Sequence, residues 1–176
     1  MALVIEPLGR HHDRAGFSCG QPDLDDWFRL RVSQDVKRNI ARVFVAVDSE
    51  LGIVGFYSLS SLSLTPETLP AEIARKLPRY DAVPAVLIGR LARDERVRGR
   101  RLGEILLGDA LQRILGAGRS IAAFAIVVDA KDERAADFYE RFGFRVLSGR
   151  SNRLFLPTAT AAAAYGKALG NPVAHL

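Results

Sequence analysis

Residues 96–103 carry four arginines and two glycines, the residue types best suited in this chain to binding an anion. The surrounding sequence predicts a buried strand before this segment and a strong helix after it. Unpaired N–H groups at a helix N-terminus, the helix dipole and the flexible backbone at Gly99 together form a site that suits a pyrophosphate. A basic, solvated loop that caps a helix has the same composition, so these residues alone leave both interpretations open.

The spacing of the glycines separates this segment from two common nucleotide sites. It matches neither GxGxxG, which binds dinucleotides, nor GxxxxGKS/T, which holds the phosphates of nucleoside triphosphates. Dinucleotide binding and nucleotide hydrolysis are therefore disfavoured.

Cysteine chemistry is poorly supported. The chain has one cysteine, Cys19, and its three histidines lie near the two termini, at His11, His12 and His175. Without a nearby histidine to act as a base, Cys19 is interpreted as a small packed or turn residue. A single cysteine also excludes an intramolecular disulfide and a cysteine-cluster metal site. A reducing cytoplasm and the absence of a metal are the resulting expectations.

The charge balance favours a polyanionic partner without identifying one. The chain has 25 lysines and arginines against 20 acidic residues, a formal net charge of +5. Basic residues concentrate on or after the first predicted helix, including Arg38 and Arg42, and on the strand that carries Arg90 and Arg93. For the helix cluster, phosphate contacts and a solvated helix face are both consistent with the pattern.

Two hydrophobic periods alternate along the chain and define the elements that position these residues. Alternating or continuous apolar runs predict strands over 3–8, 42–47, 53–64, 86–92, 121–128, 144–147 and 153–156. A 3.6-residue period predicts helices over 23–37, 69–77, 100–117, 132–142 and 158–168.

The order of these elements predicts an α/β architecture of the mixed α+β kind. Strands 42–47 and 53–64 flank a turn and form an antiparallel hairpin. The strand, helix and strand over residues 86–128 form a βαβ unit whose two strands are parallel. We therefore expect a central mixed, mostly antiparallel sheet with helices on both faces.

The length of the chain predicts one domain. At 176 residues it can bury a core without disulfides or metals, so we expect a single domain over 1–176 with a flexible tail at about 170–176. The first residues lack the pattern of a signal peptide, and no apolar run is long enough to span a bilayer. No membrane association is expected.

Two segments resemble the GNAT acetyltransferases. Residues 98–103 resemble the acetyl-CoA signature (Q/R)-x-x-G-x-(G/A), with Arg98 first and Gly103 last. Arg101 departs from it, because it stands where the family has its middle glycine. Residues 135–144 look like the A-x-x-F-Y-x-x-x-G-F segment, in which a helix lines the coenzyme cleft. Together they identify the chain as a member of this superfamily and imply the GNAT fold.

Further segments resemble the GNAT-type toxins of bacterial type II toxin–antitoxin modules; they are residues 17–20, 24–27, 54–57, 77–80, 87–92 and 153–157. This resemblance implies acetylation of the α-amino group of aminoacyl-tRNA, which blocks translation. It also implies neutralisation by a ribbon-helix-helix antitoxin and a toxin homodimer.

The resemblance implies roles for individual residues. Tyr139 matches the general-acid tyrosine of the family, whereas its helical spacing alone favours a packed aromatic residue. The backbone of the strand near the signature would polarise the acetyl carbonyl. The implied acetyl-CoA contacts are Leu91, Ala92, Arg93, Arg98, Gly99, Arg100, Arg101, Leu102, Gly103, Ala135 and Phe138.

Elementary acid–base chemistry is compatible with these roles. An α-amino group has a pKa of about 8, so it can attack without a strong base. A tyrosine with a pKa of about 10 can protonate a thiolate whose conjugate acid has a pKa of about 8.5. Arg90, Arg38 and Arg42 are the candidate tRNA contacts. Acetylation of small amines or protein N-termini, and an inactive coenzyme-binding or antitoxin-binding module, are the alternatives.

Overall fold

A computed structural model describes residues 2–149 and 152–166. Its strands are β1 (Leu3–Pro7), β2 (Arg42–Asp48), β3 (Gly52–Leu64), β4 (Val83–Arg93), β5 (Ala125–Asp129), β6 (Arg145–Val146) and β7 (Arg153–Pro157). Its α-helices are α1 (Pro22–Asp26), α2 (Val32–Lys37), α3 (Ala71–Ala74), α4 (Leu102–Ala117), α5 (Glu133–Arg141) and α6 (Thr158–Tyr165).

The seven strands form one mixed sheet in the order β1-β2-β3-β4-β5-β7-β6. The hairpin of β2 and β3 is antiparallel, as predicted, and β1, β6 and β7 also pair antiparallel with their neighbours. The predicted parallel βαβ unit is confirmed as β4, α4 and β5. The mixed, mostly antiparallel sheet expected from the sequence is therefore present.

The first predicted helix, 23–37, is interrupted by a π-helical segment. Residues Trp27–Arg31 form this segment between α1 and α2, and the amide of Val32 donates to the carbonyl of Trp27, five residues earlier. The extra residue in this turn brings Trp27 and Phe28 inward, with 5% and 0% exposure, while Leu30 is 71% exposed. Single-turn π segments of this kind are frequent at functional sites.

Several predicted boundaries were wrong. The strand predicted over 121–128 begins only at Ala125, because the amides of Ser120 and Ile121 turn back to the carbonyl of Ala117 and leave Ile121 at the surface. The helix predicted over 69–77 is reduced to α3, which follows Pro70 and ends before Pro78. The strand predicted over 86–92 is longer and includes Val83.

The described chain divides into two compact units. The first comprises Met1–Ser61 and Leu87–Ala110. Its core is aromatic: the rings of Phe28 and Phe56 stack 4.1 Å apart, and Phe17 meets both of them edge-on. This cluster covers the face of the β2–β3 hairpin, with Val43, Val45 and Ile53 also buried.

The second unit comprises Leu62–Val86 and Leu111–Leu176. Its central strands, β5 and β7, are almost completely buried and pair over five residues each. Helix α6 is anchored by Tyr165, whose hydroxyl donates to the carbonyl of Phe142 (2.8 Å) and whose carbonyl accepts from Gln112 (2.9 Å). Residues 167–168 of the last predicted helix and the predicted tail lie outside the described residues, and the single-domain assignment stays a prediction.

Within the described ranges, no helix is long and apolar enough to cross a membrane.

Candidate active site

The glycine-arginine loop of the first unit has two residues in the left-handed backbone region, Gly99 (φ 81°) and Arg101 (φ 58°). The predicted helix start at residue 100 was wrong, since this left-handed turn delays α4 until Leu102. The carbonyl of Arg101 accepts from the amide of Ile105 (3.3 Å), which makes Arg101 the N-cap. The first N–H groups of α4, from Leu102 and Gly103 onward, have no acceptor within the helix and can bind an anion.

Arg101 adopts the conformation that glycine would adopt at this position. An L-residue in the left-handed region is strained by about 1–2 kcal/mol, which explains why glycine is favoured there. Its side chain is 78% exposed and forms an ion pair with Glu104, with 3.1 Å between Nη2 and Oε2. The departure from the GNAT signature therefore changes the side chain at the surface and leaves the backbone turn in place.

A buried carboxylate anchors the residues before this loop. Asp94 is 2% exposed and accepts from the amides of Ser18 (3.0 Å) and Arg96 (2.9 Å) and from Nε of Arg96 (2.8 Å). Burial acts to raise the pKa of Asp94, but these hydrogen bonds and the Arg96 charge outweigh it and hold that pKa below its usual range. Arg96 is therefore structural, although it belongs to the arginine cluster of the sequence.

The end of β4 approaches the start of α4 closely at Gly55 on β3. A Cβ atom on Gly55 would lie 3.2 Å from the carbonyl oxygen of Ala92, 3.1 Å from Leu102 and 2.9 Å from Leu106. The role of Gly55 could not be predicted from the sequence, because a glycine in a strand does not reveal which atoms approach it. The carbonyl of Ala92 and the side chain of Leu102, in the first turn of α4, therefore meet at Gly55.

Arg90 lies against an aromatic ring within the first unit. Its guanidinium carbon is 3.9 Å from the ring centroid of Trp27, and Nε1 of Trp27 donates to Oδ2 of Asp35 (2.9 Å). Burial lowers the pKa of Arg90, partly offset by the charge of Asp35, but an arginine is still a cation at neutral pH. A half-buried cation is thus fixed on the strand that leads to Leu91.

The other two candidate tRNA contacts lie at the surface. Arg42 donates to Oδ1 of Asn39 (2.6 Å) and to the carbonyl of Val36 (3.3 Å), so it satisfies the C-terminal end of α2. Arg38 is the exposed residue that follows this helix. Arg42 therefore stabilises the end of α2, and both Arg38 and Arg42 are exposed to solvent.

The second unit carries the predicted tyrosine on α5, which begins as predicted. Asp132 caps this helix by accepting from the amide of Ala135 (2.8 Å). Tyr139 is 5% exposed and lies edge-on to Phe138 and Phe144, with centroid distances of 5.2 and 5.6 Å. Among residues 2–149 and 152–166, none hydrogen-bonds to its hydroxyl.

Burial raises the pKa of the Tyr139 hydroxyl well above its usual value, and the negative charge of Asp129 raises it further. Asp129 is itself held by Arg153 in a two-point ion pair, with 2.8 Å between Nε and Oδ1 and 3.0 Å between Nη2 and Oδ2. Tyr139 is therefore protonated throughout the physiological pH range and can donate a proton.

One histidine cluster has donor atoms that could hold a metal ion. The ligand atoms of Glu6, His11 and His12 lie within 4.8 Å of one another. However, Nδ1 of His12 accepts from the amide of Gly9 (2.8 Å), which leaves Nε2 to carry the proton that points to Glu6 (2.7 Å). Both ring nitrogens of His12 are thus used in hydrogen bonds, an arrangement that fits a stabilised N-terminal loop.

The predicted site residues fall into two groups. The loop, Leu91 to Arg93 and Arg90 lie in the first unit, and Ala135, Phe138 and Tyr139 lie in the second. The contacts of Trp27 with Arg90 and of Asp129 with Arg153 were not predicted from the sequence. The partners in each pair are separated by many residues, so no local spacing could have revealed them.

Comparison with known proteins identifies the class. Residues 39–146 match the acetyltransferase (GNAT) domain family, and the chain belongs to this family. It is an N-acetyltransferase that uses acetyl-CoA.

Its relatives include named toxins. The chain is 34% identical over 166 residues to the probable toxin TacT of Sinorhizobium fredii (strain NBRC 101917 / NGR234). This alignment covers 89% of this chain and 92% of that protein. It is 39% identical over 134 residues to the tRNA-acetylating toxin of Mycobacterium tuberculosis (strain ATCC 25618 / H37Rv), covering 76% of this chain and 79% of the relative.

Two solved structures have closely similar folds. AtaT complexed with acetyl-methionyl-tRNAfMet superposes with a TM-score of 0.86 at 27% identity, covering 93% of this chain and 99% of that chain. AtaTR bound with AcCoA gives a TM-score of 0.81 at 26% identity, with 93% and 98% covered.

Proposed function

We propose that this acetyltransferase is a toxin that acetylates the α-amino group of aminoacyl-tRNA and thereby blocks translation. The observation that carries this proposal is its similarity, over 93% of the chain, to a toxin structure that holds an acetylated aminoacyl-tRNA. The 39% identity to a tRNA-acetylating toxin gives independent support.

The residues of the glycine-arginine loop fit the pyrophosphate of acetyl-CoA. The turn at Gly99 and Arg101 exposes the first N–H groups of α4, and a Cβ on Gly99 would meet no atom within 4 Å, so there is open space beside it. We assign the phosphate contacts to the backbone of residues 99–103, with Arg98 and Arg100 supplying positive charge. The backbone of Leu91 to Arg93 would bind the acetyl carbonyl, and Ala135 and Phe138 would line the coenzyme cleft.

The transfer needs one bond formed, one bond broken and one proton moved. The lone pair of the acceptor amine attacks the thioester carbon, the C–S bond breaks, and the proton lost by nitrogen is finally carried by sulfur. In our proposal Tyr139 donates its proton to the departing sulfur and regains one from the acetylated nitrogen. Its raised pKa keeps the hydroxyl protonated before each transfer, and the negative charge of the departing thiolate is what draws the proton from it.

The tRNA would be held mainly through charge. Arg90, fixed against Trp27, directly precedes the predicted carbonyl-binding residues of β4 and would contact the tRNA close to the acceptor amine. The exposed Arg38 and Arg42 would bind phosphates of the tRNA backbone farther from this amine. Because the proposed substrate is aminoacyl-tRNA, we expect the enzyme to be cytoplasmic.

Further expectations concern its protein partners. By analogy with the toxins it resembles, we propose that a ribbon-helix-helix antitoxin neutralises the enzyme and that the toxin is a homodimer. Co-purification with the product of a neighbouring small open reading frame, followed by light scattering of the free toxin, tests both points.

The direct test uses purified protein, labelled acetyl-CoA and a pool of charged tRNAs. We expect the label on aminoacyl-tRNA, with uncharged tRNA as the matched control that acquires none. Labelling of small amines or protein N-termini without labelling of aminoacyl-tRNA would replace the toxin proposal with the alternative acceptor class.

The role of Tyr139 has its own test. Tyr139→Phe should lower kcat by about 10²–10⁴-fold, the usual contribution of a general acid, with little change in the KM for acetyl-CoA. Because no described residue hydrogen-bonds to the hydroxyl, the melting temperature should stay close to that of the parent. Full activity in this variant would exclude Tyr139 as the proton donor.

A further inference from the structure

Within the first unit, one indole ring contacts both a carboxylate and a guanidinium. Oδ2 of Asp35 accepts from Nε1 of Trp27 (2.9 Å), and the guanidinium carbon of Arg90 lies 3.9 Å from the centroid of the same ring. At this distance the cation is in van der Waals contact with the aromatic face, an attraction that is stronger where water is excluded. Trp27 is 5% exposed, so the contact lies in a mostly buried setting.

The guanidinium of Arg90 keeps its hydrogen-bond donors available. An arginine side chain has five N–H donors in a planar fork. Among residues 2–149 and 152–166, none accepts a hydrogen bond from this guanidinium or forms an ion pair with it. None of its nitrogens is a completely buried atom without a partner, so the donors reach solvent. A half-buried cation of this kind gains more from an anionic ligand than a fully hydrated one does.

The backbone of Arg90 is held as well. Its amide donates to Oγ of Ser58 on β3 (3.1 Å), and Ser58 is 2% exposed. Arg90 directly precedes Leu91–Arg93, the segment of β4 proposed to bind the acetyl carbonyl. Two residues of a strand span about 7 Å, so an anion bound by Arg90 would lie close to the reacting atoms.

We propose that Asp35 and Trp27 are positioning residues that hold Arg90 for a phosphate at the acceptor end of the tRNA. This inference rests on the proposed function, in which aminoacyl-tRNA is the acceptor substrate. Trp27 supplies the aromatic face that orients the guanidinium. Asp35 fixes the ring through its hydrogen bond and polarises it toward the cation.

Acetyl-CoA also carries phosphates, and kinetic constants separate the two sources. Arg90→Gln should raise the KM for aminoacyl-tRNA about tenfold and reduce its salt slope by about one, as the loss of one phosphate contact does. The KM for acetyl-CoA and the kcat/KM for a small aminoacyl ester should stay close to those of the parent. A rise in the KM for acetyl-CoA alone would overturn the assignment to tRNA.

A double-mutant cycle tests whether Trp27 acts through Arg90. Trp27→Leu removes the aromatic face and should raise the KM for aminoacyl-tRNA several-fold, whereas Trp27→Phe keeps the face and should preserve most of the binding. In the Arg90→Gln background, Trp27→Leu should have no further effect on this KM. Additive effects would mean that Trp27 only supports the fold, and the positioning role would be overturned.

Two substitutions of Asp35 separate its hydrogen bond from its charge. Asp35→Asn removes the charge but keeps an oxygen that can accept from Nε1 of Trp27, whereas Asp35→Ala removes both. If Asp35 acted through charge alone, both variants would bind the polyanionic tRNA more tightly, because a negative charge near the phosphate is lost. We expect Asp35→Ala to have a KM for aminoacyl-tRNA several-fold above that of Asp35→Asn. Equal KM values would overturn the role of Asp35.

Trp27 is the only tryptophan of the chain, so its fluorescence reports on this contact without turnover. The probe is a short single-stranded RNA that ends in CCA, titrated into the full-length protein. We expect binding to change the emission of Trp27 in the parent but not in Arg90→Gln. The matched control is Arg145→Gln, because the guanidinium carbon of Arg145 lies 6.0 Å from the ring centroid of Phe155 in the second unit. This control should behave as the parent, and an equal change in Arg90→Gln would overturn the phosphate site.

Failure of this inference and failure of the proposed function have different signatures. If no aminoacyl-tRNA is acetylated, the proposed function is wrong, while the fluorescence titration still decides whether Arg90 binds a phosphate. If acetylation proceeds with an unchanged KM for aminoacyl-tRNA in Arg90→Gln and Trp27→Leu, the proposed function stands and the positioning role is wrong. Thermal melts of all variants confirm that the proteins compared are folded.

Discussion

Arg101 has a backbone conformation that glycine adopts without strain, and replacing it separates the effect of the backbone from that of the side chain. Arg101→Gly relieves about 1–2 kcal/mol of backbone strain in the folded state. It also raises the conformational entropy of the unfolded chain, which costs a similar free energy on folding, so the stability of this variant should lie within about 1 kcal/mol of the parent. Arg101→Val should be the least stable, because a β-branched residue tolerates a positive φ poorly.

Chemical denaturation measures this order, and acetyl-CoA titration shows whether the loop still binds. Arg98→Gly is the control, since Arg98 lies outside the left-handed region (φ −53°) and gains nothing from glycine. Equal stability of Arg101→Gly and Arg101→Val would contradict the left-handed turn.

The pH dependence of the reaction follows from two groups. The rate should rise toward pH 8 as the acceptor amine, with a pKa of about 8, loses its proton. It should then stay level to about pH 10 because the pKa of Tyr139 is raised above its usual value of about 10, so the hydroxyl keeps its proton.

Initial rates on an acceptor with an amide in place of the labile aminoacyl ester would measure this profile. A decline that begins near pH 9 and disappears in Tyr139→Phe would contradict the raised pKa.

At the scale of elements, the close approach of β3, β4 and α4 depends on Gly55, which has no side chain. Gly55→Ala would force a methyl group to within about 3 Å of the Ala92 carbonyl and the Leu102 side chain. We expect a loss of about 1–3 kcal/mol of stability, as in overpacked cores, and a higher KM for acetyl-CoA as the helix N-terminus moves.

The control is another glycine-to-alanine substitution in the same unit. Gly108 lies within α4, and a Cβ there would meet no atom within 4 Å, so Gly108→Ala should stabilise the helix by about 1 kcal/mol. Opposite signs for the two substitutions support the close contact at Gly55; a stabilising Gly55→Ala would contradict it.

The predictable part of the structure is the part that local periodicity encodes. The periods of α4 and α5 are visible within one or two helical turns, and the bounds of both helices were predicted to within two residues. The π-helical turn at Trp27–Arg31 was missed, because its apolar spacing fits an α-helix almost as well.

The side-chain contacts that were not predicted depend on the register between strands that are distant in sequence. Asp129 meets Arg153 only because β5 and β7 pair in one particular register, and Gly55 matters only because Ala92 and Leu102 come close to it. The candidate residues for chemistry were named from motifs, whereas the contact of Asp129 with Arg153 and the close approach at Gly55 required coordinates.

At the scale of the whole molecule, the net charge of +5 is compatible with a polyanionic substrate, and the number of phosphate contacts predicts how the reaction responds to salt. If arginines such as Arg90, Arg38 and Arg42 neutralise tRNA phosphates, kcat/KM for aminoacyl-tRNA should fall steeply and linearly on a log–log plot against salt. A small aminoacyl ester lacks those phosphates, so its kcat/KM should change much less.

Substituting all three arginines by glutamine should reduce the salt slope for tRNA and leave the small ester almost unaffected. Substituting Arg10, Arg75 and Arg119, which lie outside the proposed contacts, provides the charge-matched control. Equal slopes for the two acceptors would contradict an electrostatic tRNA site.

The π-helical turn between α1 and α2 also limits which length changes the chain can accept. One residue of an α-helix corresponds to a rotation of about 100°, and the π-helical turn already accommodates one extra residue. Deleting the exposed Leu30 should therefore give an ordinary α-helical turn and leave Asp25 close to the amide of Cys19, to which it is now bonded at 2.9 Å. A further inserted residue would instead turn Asp25 away from this amide, so the segment should accept a one-residue deletion far better than a one-residue insertion.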